Sequence, residues 1–409
     1  MMSEFVEIRD GTPNKESPPP SDTTYDAVNE QPLYTGRLRK LIPIVLRNIL
    51  LSIITLGIYR FWGKTKIRRY LWSQVSFRGE PLEYTGTGTE LFLGFLVVML
   101  ILIPVLLLNS FLQIALQSKP YIFIVVQILY GLGFFYLIHI ASYRAQRYRL
   151  TRTSWCGIRG GMSGSAIAFA NKAFLYTLLT IVTLGVMYPK MQLALQKYRI
   201  ENSVFGDVNL KFDAPLAPLM KSWLFSLVCL LILYGLMGYF SYKFFEAIET
   251  KPSQAEMFQL VVGVLIALTL IGILTAVAMV WYSAVVIRHF VSATKFENLS
   301  ATSTMTVGQL LNVYIPAYLV YGGLVVLFAL TIAMTSGGND ATTFLILLII
   351  ALAIFGTLIP IIIFNRFISA FCANMTITGA FSAARLLQNQ QDKPGYGEGL
   401  AEALEVDAL

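Results

Sequence analysis

The sequence has few of the residues from which catalytic sites and disulfide frameworks are built. Among its 409 residues are three cysteines, Cys156, Cys229 and Cys372, and they show no metal-ligand spacing. An odd number of widely separated cysteines does not indicate a disulfide framework. The chain also lacks HExxH, GxSxG and any pair of acids inside an apolar segment. We therefore expect a protein that is not an enzyme and that binds neither a metal nor another cofactor.

Charged residues are also scarce, at 13% of the chain, against 56% hydrophobic residues and a mean hydropathy of +0.64. This composition excludes an ordinary soluble domain and predicts that the lipid bilayer is the main solvent. The first thirty residues lack the basic region and apolar core that are typical of a cleaved signal peptide. We expect residues 1–35 to be a disordered acidic tail in the cytosol.

The two ends of the chain lack positive charge. Residues 1–31 hold 7 acids and 2 bases, and residues 388–409, a second acidic tail, hold 5 acids and 1 base. Of the 31 bases and 23 acids in the chain, 28 and 11 therefore fall in residues 32–387, a net charge of +17. In a membrane protein this excess favours anionic phospholipids as partners. Nucleic acid is disfavoured, because the bases flank apolar segments without a nucleic-acid-binding fold pattern.

Long apolar runs are what the sequence does have. Six of them are long enough to cross a bilayer as helices: 91–108, 122–141, 223–240, 258–287, 313–334 and 344–364. The connection after the first run carries only Lys119, whereas the loop after the second carries five arginines and no acid: Arg144, Arg147, Arg149, Arg152 and Arg159. This asymmetry predicts that the arginine loop and both termini are cytosolic.

Two shorter apolar segments, 41–59 and 173–187, pose a topological problem because basic residues lie on both sides of each. They share one tripeptide: Thr55, Leu56 and Gly57 in the first and Thr183, Leu184 and Gly185 in the second. A single crossing by either segment would place a basic loop outside. We favour re-entrant or interfacial segments for both. The alternative is eight full spans, with the arginine loop outside.

Basic residues follow the first short segment at helical spacing: Lys64, Lys66, Arg68 and Arg69. We interpret them as part of a helix in the headgroup layer, with its cations toward phosphate. Arg47, within the short segment, is either a lipid contact or a side chain that snorkels to the surface. Together with the arginine loop, these cations could form a shared lipid-binding ring on the cytosolic face. Generic anchoring and control of topology is the alternative.

An alternating pattern around a turn follows the basic helix and predicts a β-hairpin, with Phe77, Gly79 and Tyr84 as its motif residues. An aromatic residue or histidine seven positions before an aromatic recurs along the chain: Tyr70 with Phe77, Tyr148 with Trp155, Tyr198 with Phe205, and His289 with Phe296. A reduced version lies at 374–379. Because several features of the first unit, the TLG tripeptide included, recur 128 residues later, the pattern predicts an internal duplication.

Three motifs carry a family resemblance: N-x6-TLGIY-x2-W at 48–62, R-x-Y at 68–70, and F-x-G-x4-Y-x-GTG at 77–88. Together they resemble the YjgN-like inner-membrane proteins, a bacterial family of unknown function, over most of residues 36–385. The resemblance implies a location in the bacterial inner membrane and supplies no activity.

The sequence thus predicts an all-α polytopic membrane protein of pseudo-repeated helical hairpins, with short β-like hairpins and basic interfacial helices on the cytosolic face. We divide it into a first membrane module, 36–168, a second that repeats it, 169–298, and a reduced third, 299–387. Repeated units and proline-containing spans suggest a permease or channel-like protein for a small solute or lipid. The alternative is a non-catalytic scaffold or assembly factor, which holds anionic lipid or a protein partner on its basic face.

Overall fold

The computed structural model describes residues 26–249, 253–335 and 341–381, which form ten helices and twelve strands. The helices are α1 Leu38–Ile54, α2 Arg60–Ser73, α3 Gly88–Ala115, α4 Pro120–Thr151, α5 Ala166–Val182, α6 Tyr188–Glu201, α7 Leu216–Glu249, α8 Gln254–Ala293, α9 Val307–Thr335 and α10 Ala341–Ala373. The strands are β1 Asp26–Glu30, β2 Leu33–Tyr34, β3 Val75–Phe77, β4 Glu80–Tyr84, β5 Thr153–Trp155, β6 Ile158–Met162, β7 Ser203–Phe205, β8 Val208–Asn209, β9 Lys211–Phe212, β10 Thr294–Phe296, β11 Leu299–Ser303 and β12 Met375–Phe381.

The six predicted spans all fall within helices, namely α3, α4, α7, α8, α9 and α10. Over the residues described, five helical segments are long and apolar enough to cross a membrane: Gly88–Ala115, Pro120–Thr151, Leu216–Glu246, Ala255–Ala293 and Gly356–Ala373. Their outer faces are apolar; Leu100 and Leu107 on α3, for example, are 77% and 65% exposed. Apolar surface of this extent requires lipid or a partner to cover it.

Ten helices form five consecutive pairs, each beginning and ending at the strands. We call α1–α2 and α5–α6 the short pairs, because their helices have only 17 and 14 residues. The long pairs are α3–α4, α7–α8 and α9–α10. Neighbouring helices contact one another along the chain, and α10 also contacts α1, so the bundle closes on itself.

Helix starts follow from local capping chemistry. Thr87, Ser165 and Ser253 occupy the N-cap positions of α3, α5 and α8, where each side chain accepts a hydrogen bond from the backbone N–H three residues later. Such caps satisfy donors that a helix otherwise leaves without partners. They explain why each of these helices begins directly after the preceding connection.

Four tight turns connect successive strands into hairpins: β3–β4, β5–β6, β7–β8 and β10–β11. In the first turn Arg78 and Gly79 have φ of 54° and 81°, and in the second Cys156 and Gly157 have φ of 51° and 73°. Positive φ at both central residues matches the right-handed twist of the flanking strands, which is why two-residue hairpins use it. The predicted role of Gly79 in a turn is consistent with this geometry.

The hairpins pair edge to edge and form a closed ring, which we call the β-ring. One sheet runs β2-β3-β4-β5-β6-β7-β8 and the other β1-β12-β11-β10-β9. The chain itself joins the two sheets, because β1 continues into β2 after two residues and β8 into β9 after one. The pairing of β1 with β12 brings the first described residues against the last. All twelve described strands are therefore paired.

The same backbone hydrogen bond forms five times around the β-ring. In each case the residue that follows a strand and precedes a helix pair donates its N–H to the carbonyl of the residue at the end of that pair, just before the next strand. The bonds are Thr35 to Gln74 at 3.0 Å, Thr85 to Arg152 at 2.8 Å, Ser163 to Asn202 at 2.8 Å, Asp213 to Ala293 at 3.1 Å and Thr304 to Asn374 at 2.9 Å. Each bond ties the start of one helix pair to the end of the same pair at the β-ring.

Apolar side chains fill the inside of the β-ring. Trp155 is its buried centre, and Phe77, Phe205, Phe296 and Ile377 pack around it. The Phe77 and Phe205 rings lie 5.6 and 6.1 Å from the Trp155 ring. A cavity of about 280 Å³ remains there, with mostly apolar walls. The aromatic residues of the recurring sequence pattern thus share one core, which the sequence analysis did not predict.

Two sequence-based expectations need correction here. The fold is not all-α, because the predicted hairpins join into sheets and pair in register, and are not separate β-like turns. The predicted disordered tail is wrong at its C-terminal end, since residues 26–30 and 33–34 form β1 and β2 by pairing with β12 and β3. Residues 1–25 and the second acidic tail, 388–409, lie outside the described residues.

Candidate functional site

The TLG tripeptide of the first short pair is a helix-reversing turn. The Thr55 hydroxyl donates to the Leu51 carbonyl at 2.7 Å and accepts from the Tyr59 N–H at 2.9 Å, so it ends α1 and leads into α2. Leu56 and Gly57 follow with φ of 51° and 90°. This left-handed geometry turns the chain back, and α2 returns along α1 to the β-ring.

The second short pair has the same turn. Thr183 donates to the Leu179 carbonyl at 2.7 Å and accepts from the Met187 N–H at 3.2 Å. Leu184 and Gly185 have φ of 49° and 91°. In both pairs, therefore, the chain turns back at the TLG tripeptide, and the second helix of the pair leads into a strand of the β-ring.

The tips of both turns are apolar and exposed. Leu56 is 93% exposed and Leu184 80%, although leucine rarely adopts positive φ. Beside them, Ile54 and Val182 are 68% and 79% exposed. A strained, exposed leucine at the end of a helix pair is costly in water and suits an apolar surrounding.

Two tyrosines of the recurring sequence pattern, Tyr70 and Tyr198, connect the two helices of a pair through hydrogen bonds. The Tyr70 hydroxyl accepts from the Arg37 N–H and donates to the Arg37 carbonyl, both at 3.1 Å, at the start of α1. Tyr198 makes the same two bonds to Ser165, at 3.0 and 2.9 Å, at the start of α5. His289 plays a similar part in the pair α7–α8: its Nε2, on α8, lies 2.7 Å from the carbonyl oxygen of Pro215, just before α7.

Three arginines, each six residues before a strand, hold the backbone that leads into the following helix. Arg69 donates to the Gly86 carbonyl at 3.3 Å, Arg147 donates to the Gly164 carbonyl, and Arg288 donates to the Met305 carbonyl at 2.8 Å. Two of these three were candidate lipid contacts. Their hydrogen bonds give them a structural role at the β-ring.

The predicted interfacial role is wrong for Arg68 and Arg152, because both are buried. Arg68 is 1% exposed, and its guanidinium lies 5.9 Å from the centre of the Tyr84 ring. Arg152 is 7% exposed and makes a bidentate ion pair with Glu90, at 3.0 and 3.1 Å. Tyr148 adds a hydrogen bond of 2.8 Å to the same carboxylate. The basic stretches are thus packed helices with buried faces.

The other candidate cations lie on several elements and differ in exposure. Arg47, Lys66 and Arg144 are exposed, whereas Lys64, Arg149 and Arg159 are partly buried. Lys66 donates to the Tyr59 hydroxyl at 2.5 Å. They lie on α1, on α2, on α4 and in the hairpin β5–β6, so the arginines and lysines predicted to form a shared ring are distributed over several elements.

A groove of about 580 Å³ lies between the first short pair and α10. Two cations, Arg60 and Lys64, line it together with the polar residues Asn48, Ser52 and Thr357. Its remaining walls are glycine, proline and aliphatic side chains: Val45, Ile49, Ile53, Leu56, Gly57, Gly63, Ile67, Gly356, Pro360 and Ile361. Cations beside an apolar wall match an anionic molecule with an apolar part.

Sequence reasoning missed Arg60 as a candidate, and the only signal lay in a comparison of the two short pairs. At the 128-residue separation, Tyr188 stands where the first pair has Arg60, and Gln192 where it has Lys64. The second pair fills this place with stacked rings: Tyr188 lies 4.5 Å from Trp223, which lies 4.9 Å from Tyr282. The Tyr282 hydroxyl donates to Gln192 at 2.8 Å.

Long apolar helices over a closed β-ring define this chain as a helical membrane protein. Residues 30–403 match the family described as "Bacterial protein of unknown function (DUF898)", and the chain belongs to that family. Relatives named Inner membrane protein YjgN also match, which confirms the resemblance carried by the TLG and hairpin motifs.

Each of these relatives aligns over part of its length. The chain is 40% identical over 78 residues to Inner membrane protein YjgN of Salmonella typhimurium strain LT2, which is 19% of this chain and 20% of the relative. The proteins of the same name from Escherichia coli O157:H7 and strain K12 are 29% and 27% identical over 154 residues, 38% of this chain and 36% of each relative. No solved structure matches the chain.

The buried ion pair yields a stability prediction. Replacing Glu90 with alanine leaves the guanidinium of Arg152 buried without its counter-charge, and we expect a loss of about 3 kcal/mol in the free energy of unfolding. The control is Glu201→Ala, which removes an exposed pair with Lys197 and should cost at most about 0.5 kcal/mol. Thermal unfolding in detergent measures both. Equal effects would contradict the structural role of the Glu90–Arg152 pair.

The TLG turns yield a second prediction. Gly57→Ala places a side chain at φ of 90° with nothing within 4 Å of its Cβ, so the cost is one of backbone strain alone, about 1–2 kcal/mol. Gly131→Ala in α4 is the matched control, since its Cβ also meets nothing and helical φ favours alanine by up to about 1 kcal/mol. Opposite signs are expected in the same unfolding assay; a neutral Gly57→Ala would contradict the turn geometry.

Proposed function

We propose that the protein is a multi-pass, non-catalytic protein of the bacterial inner membrane that holds lipid in the cytoplasmic leaflet. In this proposal the β-ring lies in the cytosol, and its two short helix pairs enter the bilayer without crossing it. The observation that carries the proposal is the exposure of Leu56 and Leu184 at positive φ on the tips of those pairs. The names of the relatives support the inner membrane as the location.

Helix lengths support partial entry. We take the last residue of the predicted span in α4 as the membrane boundary, and this residue lies twelve residues before β5. The equivalent position in α2, twelve residues before β3, is Gly63. Asn48 on α1 lies level with Gly63, because its side-chain amide donates to the Gly63 carbonyl at 3.2 Å. If α2 and α4 rise equally from the β-ring, residues 49–62 of the first short pair therefore pass the membrane boundary. The α1 part of this segment, 49–54, rises on the order of 10 Å at 1.5 Å per residue, about a third of a hydrocarbon core roughly 30 Å thick.

Charge supports the orientation. Basic residues near the β-ring include the exposed Arg47, Lys66 and Arg144, whereas the connection between α3 and α4 carries a single lysine, Lys119. The positive-inside rule then favours a cytosolic β-ring, six full spans and cytosolic termini. Re-entrant short pairs keep this assignment consistent, because every pair then returns the chain to the same side.

An internal repeat is part of the proposal. The 128-residue register and the five equivalent backbone bonds around the β-ring support a division into five units. In the first four units a β-hairpin follows the helix pair, and in the fifth the single strand β12 follows it. This division is finer than three modules at 36–168, 169–298 and 299–387. It explains why the short pairs share a motif that the long pairs lack, since only the short pairs must turn inside the leaflet.

The permease hypothesis has weaker support from the geometry. A polar solute that moved along the axis of the β-ring would meet Trp155, Phe77, Phe205 and Phe296, which pack against one another there. Desolvating a polar solute against such a lining is unfavourable. The exposed tips and the groove beside α10 face lipid instead, so we favour lipid binding over solute transport.

Orientation and depth can be measured with single cysteines. Cys156, exposed in the β5–β6 turn, is kept while Cys229 and Cys372 are replaced. Burial by its neighbours and the Glu80 carboxylate raise the pKa of the Cys156 thiol, so labelling is run above neutral pH, where more of the thiolate forms. We expect an impermeant maleimide to label Cys156 in inside-out vesicles and Lys119→Cys in intact cells.

Spin labels at Leu56→Cys and Leu184→Cys then report depth. In lipid nanodiscs both labels should collide with oxygen more than with a water-soluble nickel chelate, whereas a label at Cys156 should show the reverse. Labelling of Cys156 in intact cells would overturn the proposed orientation. Tip labels as accessible to nickel as Cys156 would overturn insertion of the short pairs.

A further inference from the structure

We propose that the groove between the first short pair and α10 binds one anionic phospholipid, with Arg60 and Lys64 on its phosphate. The inference rests on the proposed function, because it places this groove in the cytoplasmic leaflet. It goes further by naming the class of lipid, the residues that bind it and the reason why the second short pair does not.

Depth favours a headgroup at this position. Lys64 lies next to Gly63, at the estimated membrane boundary, and Arg60 lies one helical turn deeper. The Arg60 guanidinium is also positioned by two rings, at 5.1 Å from the centre of Phe61 and 5.5 Å from that of Phe95. Lys and Arg side chains are long enough to bring their charge from this depth back to the headgroup layer, where lipid phosphates lie.

The walls favour a lipid over a free anion. The groove, of about 580 Å³, falls in the range of about 300–1,000 Å³ that is usual for bound small molecules. Ile49, Ile53 and Ile361 form apolar walls that an acyl chain can cover, and Ser52 and Thr357 add hydroxyl groups beside the cations. Inorganic phosphate would leave the apolar part of the groove uncovered, so the whole groove fits an amphiphile better.

The second short pair acts as an internal comparison. Its Tyr188, in place of Arg60, packs on Trp223, and the Trp223 Nε1 donates to the Gly185 carbonyl at 2.7 Å. Gln192, in place of Lys64, is held by Tyr282. Rings therefore occupy the space beside this tip, and neither position carries a positive charge. The two tips share the turn, but only the first of them combines cations with an open groove, so we infer that the lipid site belongs to the first short pair and not to the second.

The test is lipid retention by the full chain in nanodiscs of phosphatidylglycerol and phosphatidylethanolamine, released into detergent and analysed by native mass spectrometry. We expect one retained phosphatidylglycerol, and about 30-fold weaker retention in the double variant Arg60→Gln/Lys64→Gln, since each cation contributes about fivefold near an anionic surface. The matched control is Lys190→Gln, an exposed cation at the start of α6 near the second tip, which should leave retention unchanged.

A second variant tests the apolar part without a change of charge. A Cβ at Gly356 meets nothing within 4 Å, so Gly356→Leu should extend into the groove without disturbing the fold, and we expect it to lower retention at least tenfold. Equal retention by wild type, the double variant and Gly356→Leu would overturn the site. Displacement of the lipid by millimolar glycerol phosphate would show a site for soluble phosphate, and would overturn the choice of lipid.

The outcome is distinguishable from failure of the proposed function. If spin labels place Leu56 in the bilayer but retention is insensitive to both variants, the short pair inserts and only this lipid site is wrong. If Leu56 is exposed to water, the proposed function fails. Any phosphatidylglycerol that the groove still retains would then have bound in detergent and not in the membrane, and the inference would be overturned as well.

Discussion

Closure of the β-ring is the constraint on which the rest of the structure depends. A β-hairpin with strands of two to five residues is only marginally stable alone, and an unpaired edge strand exposes backbone N–H and C=O groups that can pair with another chain. Here the hairpins join into two sheets that the chain connects, and β1 pairs with β12, so every described strand has at least one partner. All four hairpins and β12 contribute side chains to the apolar core around Trp155. Small elements distributed over the whole chain thereby become one structure.

The β-ring in turn fixes where each helix pair begins and ends. Tyr70 and Tyr198 bind the start of one helix to the end of its partner, and Arg69, Arg147 and Arg288 hold the backbone that enters the next pair. Helix length then determines how far each pair extends from the ring. The TLG turn shortens two pairs, and their leucine tips lie where long pairs continue as apolar helix. A lipid site beside such a tip needs no catalytic residue, only cations held at the right height.

Much of this architecture was predictable from local patterns. Runs of apolar residues predicted the positions of six long helices, and the recurring aromatic pattern predicted most of the hairpins, because turns and helices depend on nearby residues. Pairing of β1 with β12 was not predictable, since it joins residues far apart in the chain, for example Asn29 and Thr378, which are 349 positions apart. A strand as short as β1, with five residues, also shows too little alternation of polar and apolar residues to be recognised. Burial of Arg68 was missed for a related reason: its partner Tyr84 belongs to another element, and charge alone suggested exposure.

The candidate site shows the same limit. Cation spacing along α2 drew attention to Lys64 and its neighbours, but Arg60 sits beside the TLG turn and outside that pattern. Its importance depends on α10, some 300 residues later, which supplies the facing wall of the groove. The spacing of the arginines also suggested one lipid-binding surface. In the structure some of them donate hydrogen bonds to backbone carbonyls, one makes an ion pair with Glu90, and others are exposed. Contacts between distant elements, which the sequence does not reveal, decide among these roles.

One cross-link tests closure of the β-ring most directly. In a background without the natural cysteines, Asn29→Cys and Thr378→Cys are Cα partners across β1 and β12, at a spacing of about 5 Å that a disulfide can bridge. Asn29→Cys with Ser300→Cys is the control: Ser300 pairs with Thr378 from its other side, so these cysteines lie two strand spacings apart, about 9–10 Å, beyond a disulfide's reach. The account predicts rapid oxidation of the first pair and none of the second. Failure of the first pair to oxidise in folded protein, or equal oxidation of both pairs, would contradict a ring closed by the two ends of the described chain.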